Sequence, residues 1–154
     1  APFVSADFPA DAAQRPEALR ADIINGVSQL LAHGHRLLLV YPVPEIAANV
    51  PAALYKEKRF NLDDFVVETP TTEFRRRSAQ AYAIYDAIIG AEIVRVHPEQ
   101  LLCSAPPGAC GVLQDGRQLY FDDNHLSAFG AGLLSDQVVS SILAAGWLEM
   151  PGPP

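Results

Sequence analysis

Arg36-Leu37-Leu38-Leu39-Val40-Tyr41 runs straight into Pro42-Val43-Pro44-Glu45, and this stretch decides the fold class. An unbroken aliphatic run of strand length fits a strand covered on both faces, as in a parallel sheet, and the prolines end it. Upstream, Leu19, Ile23, Val27, Leu30 and Leu31 recur at helical spacing between Pro16 and about Ala32. Pro16 suits a first helical turn and Gly34 a stop. Downstream, residues 46–70 carry Pro51 and Pro70 without a clean period. They read as a long irregular excursion with a short helix near Ala52–Lys56.

From Thr72 to Ile89 helical spacing returns through Phe74, Ala81, Ile84, Tyr85 and Ile88, with Thr72 as N-cap and Gly90 as stop. Glu92 to His97 reads as a second buried strand. Gln118 to Phe121 reads as a third, after an Asp115-Gly116 turn. A last helix is expected from Ser127 to about Ala145, striped by Phe129, Leu133, Leu134, Val138, Ile142 and Leu143. Helix, strand, helix, strand, strand, helix is an α/β order, so a mostly parallel sheet covered by helices is expected.

The chain has 154 residues, the size of one compact domain or a large part of one. At 49% hydrophobic and 19% charged it reads as globular rather than disordered. A formal charge of -7 argues against nucleic acid, whose affinity rests on Lys and Arg neutralising phosphates. Arg75-Arg76-Arg77, the one basic run, sits beside Glu73 at the start of a helix and reads as a solvated face. No apolar run reaches membrane-spanning length and no signal peptide is visible. The abrupt polar start at Ala1 and the Met-Pro-Gly-Pro-Pro ending read as excision from something longer.

Cys103 and Cys110 lie in Cys-Ser-Ala-Pro-Pro-Gly-Ala-Cys. With no second Cys pair and no His at zinc spacing, a metal knuckle is not expected. The Pro-Pro-Gly between them makes a tight turn able to bring the thiols together. A small disulfide-closed loop is the preferred reading and implies an extracytosolic protein. Two unpaired, buried thiols in a cytoplasmic protein are the alternative.

The chemistry concentrates in Leu119-Tyr120-Phe121-Asp122-Asp123-Asn124-His125-Leu126-Ser127-Ala128-Phe129-Gly130. A strand enters a polar turn and a helix begins at about Ser127, and in open α/β sheets ligands collect beyond the carboxyl ends of strands. A carboxylate three residues before a histidine can accept its Nδ1–H, fix the tautomer that leaves Nε2 as a base, and stabilise the imidazolium. The helix N-terminus just beyond disfavours a cation there, whereas Asp122 favours it. An N-cap cluster with an exposed histidine is the competing interpretation. Asp123 and Asn124 are candidate supporting residues, and Asp123 is an alternative partner for His125. Glu45, at another strand's carboxyl end, is a candidate pocket residue. His97 ends a strand and is a weaker candidate. His33 and His35 read as an exposed turn, and Tyr82 and Tyr85 as packing residues.

The string Tyr-Phe-Asp-Asp-Asn-His-Leu-Ser-x-x-Gly resembles the last block of SGNH (GDSL-like) hydrolases. It is most similar to the extracytoplasmic domain fused to family 3 membrane acyltransferases. Leu37 to Glu45 resembles that domain's strand and Pro-x-Pro-Glu turn. Arg95-Val96-His97-Pro98 with Leu102-Cys103 resembles its next strand, and Cys103 and Cys110 match its cysteine pair. The resemblance spans roughly residues 16–145. It implies a flavodoxin-like, three-layer α/β/α fold and Ser-His-Asp ester chemistry on acyl, often acetyl, groups of cell-surface glycans. His125 would be the general base and Asp122 its orienting partner, with no cofactor. Its partners would be an acylated glycan or acyl donor and a membrane acyltransferase domain, and its location periplasmic, tethered to the inner membrane.

The Gly-Asp-Ser nucleophile block and the Gly and Asn of the oxyanion hole are not visible. Ser5, Ser104 and Ser127 lack the strand-to-helix setting of a nucleophile. Residues 1–154 therefore read as one unit, the C-terminal portion of an SGNH-type domain, inactive alone. Two further readings remain: a non-catalytic α/β glycan-binding module, and a metal-dependent enzyme using Asp122, Asp123 and His125.

Overall fold

The computed structural model describes residues 15–61, 67–103 and 108–148. Ser5, Ser104, Pro106 and Pro107 lie outside the described residues. The elements in chain order are α1 (Arg15–Ala32), β1 (Leu37–Val40), α2 (Val50–Phe60), β2 (Glu68–Pro70), α3 (Thr71–Asp86) and β3 (Ile93–Val96). They continue with α4 (Pro98–Leu102), β4 (Ala109–Gly111), β5 (Leu113–Gln114), β6 (Arg117–Gln118) and α5 (Ala128–Ala144).

The two aliphatic runs form the expected parallel pair, with Leu37 opposite Ile93 and Val40 opposite Val96. The fold is α/β. Side chains alternate across a strand, so Ile93, Arg95 and His97 share one face. That face carries α3: the Arg95 guanidinium donates to the carbonyls of Tyr85 (3.0 Å) and Ile88 (2.5 Å), capping the end of the helix. Tyr41 stacks on His97 at 4.0 Å between ring centroids and meets Tyr82 and Tyr85 edge-on at 4.7 and 5.2 Å, so both tyrosines are packing residues. Helix α1 packs beside α3, and α5 runs along β3.

Several expectations change. Strand β1 is half-buried rather than fully covered; β3 is its one partner among the described residues. Within the excursion over 46–70, the described residues form a helix and a strand. Helix α2 spans 11 residues, because Asn49 accepts from the Ala52 N–H and Pro51 sits where a helix lacks that donor anyway. Strand β2 pairs antiparallel with β4. Thr72 is not the N-cap of α3: the helix starts at Thr71 behind Pro70, and the Thr71 hydroxyl and N–H both donate to the Gly108 carbonyl. The helix ends at Ala87, before Gly90, whose missing side chain makes room for Leu31 of α1.

The third strand is the largest correction. Asp115 (φ 52°) and Gly116 (φ 73°) are both left-handed, the conformation of a two-residue hairpin turn. The turn folds β5 back on β6 as an antiparallel hairpin, so residues 118–121 do not extend the parallel sheet. Leu119 and Tyr120 are instead buried in a core with Ile46, Val50, Leu102 and Val112.

Cys103, after α4, is bonded to Cys110 in β4. The bond closes a loop of sequence separation 7 and ties the end of the β3–α4 segment to the start of the segment that carries Asp122 and His125. Loop-closure entropy alone gives about 2.5 kcal/mol for so short a ring. Urea titration of the Cys103→Ser/Cys110→Ser protein should show a loss near that value. An unchanged midpoint would mean that β2–β4 pairing alone holds the segment.

Candidate active site

The segment from Gln118 to Gly130 is closed on itself by short-range bonds. The Ser127 N–H donates to the Leu119 carbonyl (2.9 Å), Tyr120 bridges Leu126, and the Phe121 N–H donates to the His125 carbonyl (2.8 Å). Ser127 is the N-cap of α5, accepting from the Gly130 N–H (3.1 Å), and its hydroxyl donates to the Gln118 carbonyl (2.6 Å). That hydroxyl is committed to the backbone. Gly130 is buried, and a Cβ there would lie 2.2 Å from the Leu119 carbonyl oxygen. The first turn of α5 therefore sits directly on the strand that leads into the polar turn.

Within the turn, Asp122 is the hub. Its Oδ1 accepts from the N–H groups of Asn124 (2.9 Å) and His125 (2.7 Å). Its Oδ2 lies 2.7 Å from His125 Nδ1. The two backbone N–H bonds, followed by the histidine, hold the Asp122 carboxyl down at about 2, so it is ionised at neutral pH. An ionised carboxylate only accepts, so Nδ1 carries the hydrogen and Nε2 of the neutral ring holds the free lone pair. The His125 side chain is 74% exposed, which leaves Nε2 open to an incoming group.

The turn is anchored on the chain that follows β1. In the segment leaving that strand, the Ile46 N–H donates to the Asp123 carbonyl (2.7 Å) and the Val50 N–H to the Asp122 carbonyl (3.3 Å). The other candidates sort by position. Asp123 contributes this carbonyl while its side chain is exposed, and it does not partner His125. Asn124 contributes its backbone N–H to Asp122. Glu45 is exposed, adjoins the Ile46 anchor, and lines a cavity between the β1–α2 segment and α3. His97 is held apart from His125, stacked on Tyr41 with Nδ1 3.3 Å from Glu99 Oε1. His33 points Nδ1 at the Gln29 carbonyl of its own helix. Among the described residues no group of three His, Cys, Asp or Glu side chains is placed to hold a metal ion.

Sequence reasoning missed the Ile46 and Val50 anchors and the lining of the cavity by Arg77 and Ser78. The anchors use main-chain groups, which carry no residue signature.

An exposed imidazole beside an oriented, ionised carboxylate is an arrangement able to move a proton in hydrolysis or acyl transfer. The family model for the SGNH domain fused to AT3 domains matches residues 3–140, and the chain belongs to this family. The family places the chain in the general class of esterase- and acyltransferase-type domains. No curated protein and no solved structure matches it. Among the described residues no helix is long and apolar enough to cross a membrane.

Proposed function

We propose that this chain supplies the Asp–His half of a Ser-His-Asp site that moves or removes acyl groups, acetyl foremost, on the hydroxyls of a cell-surface glycan. His125 is the general base, taking the serine proton at Nε2 and returning it to the leaving alcohol. Asp122 orients the ring and balances the imidazolium. The observation that carries the reading is the 2.7 Å contact from His125 Nδ1 to a carboxylate whose other oxygen is saturated by backbone N–H groups.

The nucleophile and oxyanion donors come from a part of the SGNH domain upstream of Ala1. The domain is the C-terminal partner of a membrane acyltransferase and works in the periplasm, where the Cys103–Cys110 bond persists. Oriented base and carboxylate without a nucleophile lose the covalent step, and without the donors they lose the electrostatic stabilisation, each worth orders of magnitude. The 154-residue chain alone should therefore leave nitrophenyl acetate at the background rate, and a longer chain with the upstream segment should hydrolyse it. Fast hydrolysis by the 154-residue chain, abolished by mutating one of its own serines, would refute the split.

A further inference from the structure

We propose that the cavity of about 310 Å³ between the β1–α2 segment and α3 is a subsite for one neutral, polyhydroxylated ring, read by Glu45, Arg77 and Ser78. Pro42, Val43 and the aromatic Phe74 supply apolar walls. Ser78 is 9% exposed and lines the cavity. Among the described residues Arg77 is bonded through Nε alone, 2.7 Å from Glu73 Oε1, which leaves its terminal nitrogens facing the cavity. Glu45 forms no ion pair with Arg77 among the described residues, so each charge keeps its bonding capacity across the cavity.

The ligand class follows by elimination. An anionic ligand would be opposed by Glu45 and a cationic one by Arg77. A purely apolar acyl chain would strip water from both charges and the serine hydroxyl without replacing their hydrogen bonds. A ring with adjacent hydroxyls satisfies all three groups, because each hydroxyl both donates to a carboxylate and accepts from a guanidinium, while its C–H face rests on the apolar wall. The volume lies at the small end of ligand pockets, room for one ring rather than a chain of them.

The subsite is coupled to the dyad. Glu45 immediately precedes Ile46, whose N–H is bonded to the Asp123 carbonyl two residues from His125. Glu45 and Arg77 are thus specificity-determining residues for the sugar that presents or receives the acyl group. This assignment rests on the proposed acyl-ester reading for its role, but not for its binding test.

Titrating an SGNH domain that includes its upstream, serine-bearing segment with neutral methyl pyranosides (gluco, manno, galacto and rhamno), in parallel with methyl glucuronide and butyrate, and following amide ¹H–¹⁵N shifts tests it. At least one neutral glycoside should shift the Glu45, Arg77 and Ser78 amides saturably in the millimolar range. Glu45→Ala and Arg77→Ala should each weaken that binding about tenfold, the usual effect of losing a charged hydrogen bond. Both positions are exposed, and dispersed spectra check that the variants fold; Glu45→Gln and Arg77→Lys serve if they do not. No saturable shift, preference for glucuronide or butyrate, or binding unaffected by the variants would overturn the assignment. His125→Ala should leave glycoside binding intact. Binding here together with esterase activity that survives His125→Ala would keep the subsite and sink the dyad, and the converse pattern would do the opposite.

Discussion

His125→Ala, made in an SGNH domain that includes its serine, should lower kcat for nitrophenyl acetate by about four orders of magnitude with KM little changed. The ring is bonded to Asp122 through Nδ1 and faces solvent with its other nitrogen. Asp122→Asn should fall by a comparable factor for a geometric reason. Its oxygen stays with the N–H groups of Asn124 and His125, which turns the amide NH₂ toward Nδ1. The ring then has to accept at Nδ1 and carry its hydrogen on Nε2, so no base remains. Asp123→Asn, at an exposed side chain contributing only its carbonyl, should change kcat less than threefold. A His125→Ala enzyme within tenfold of the parent would show that another residue is the base.

Gly130→Ala should be the most damaging small substitution in the chain. The added methyl would sit 2.2 Å from a backbone oxygen, and backbone cannot swing aside as a long side chain can. Either α5 lifts from Leu119, breaking the Ser127 bonds to Leu119 and Gln118, or the strand moves and carries the Asp122 turn with it. Overpacking of this kind costs about 3 kcal/mol, a fall in Tm on the order of 10 °C at this size. Gly132→Ala, two residues along the same helix with nothing within 4 Å of the new methyl, is the control. It should stabilise by about 0.5–1 kcal/mol through helix propensity alone. Thermal melts of the two proteins, with the downfield His125 imidazole N–H resonance as a reporter of the dyad, decide the matter. Equal melting temperatures would mean that the close approach to Leu119 does not govern stability.

What the sequence made legible was local. The dyad spacing was readable because its bonds join residues two and three apart. The parallel pair was readable because two aliphatic runs have few other uses. The Cys103–Cys110 bond was readable from a short, turn-forming spacer. Long-range pairing was hidden. Strand β2 is three residues ending in proline and exists through Thr69 facing Cys110, 41 positions away in the chain. Helix α2 is longer than the Ala52–Lys56 turn its irregular period suggests, because Pro51 behind Asn49 starts the helix. Asp115-Gly116 reads as a turn from its residues, whereas the double left-handed conformation that reverses the chain into a hairpin is a property of the backbone. Arg77 reads as part of a solvated basic run, because nothing in the sequence reveals that it shares a cavity with Pro42 and Val43.

The attachment of the dyad turn to the β1–α2 segment has an evolutionary side. Ile46 and Val50 hold the turn through peptide N–H groups, and the turn receives them through peptide carbonyls. Side chains at 46 and 50 answer to the hydrophobic core, while the hydrogen bonds are indifferent to which residue supplies them. Proline alone removes the donor. The alignment of base and sheet is therefore inherited through the path of the main chain, and these positions can drift among apolar residues while the site keeps its shape.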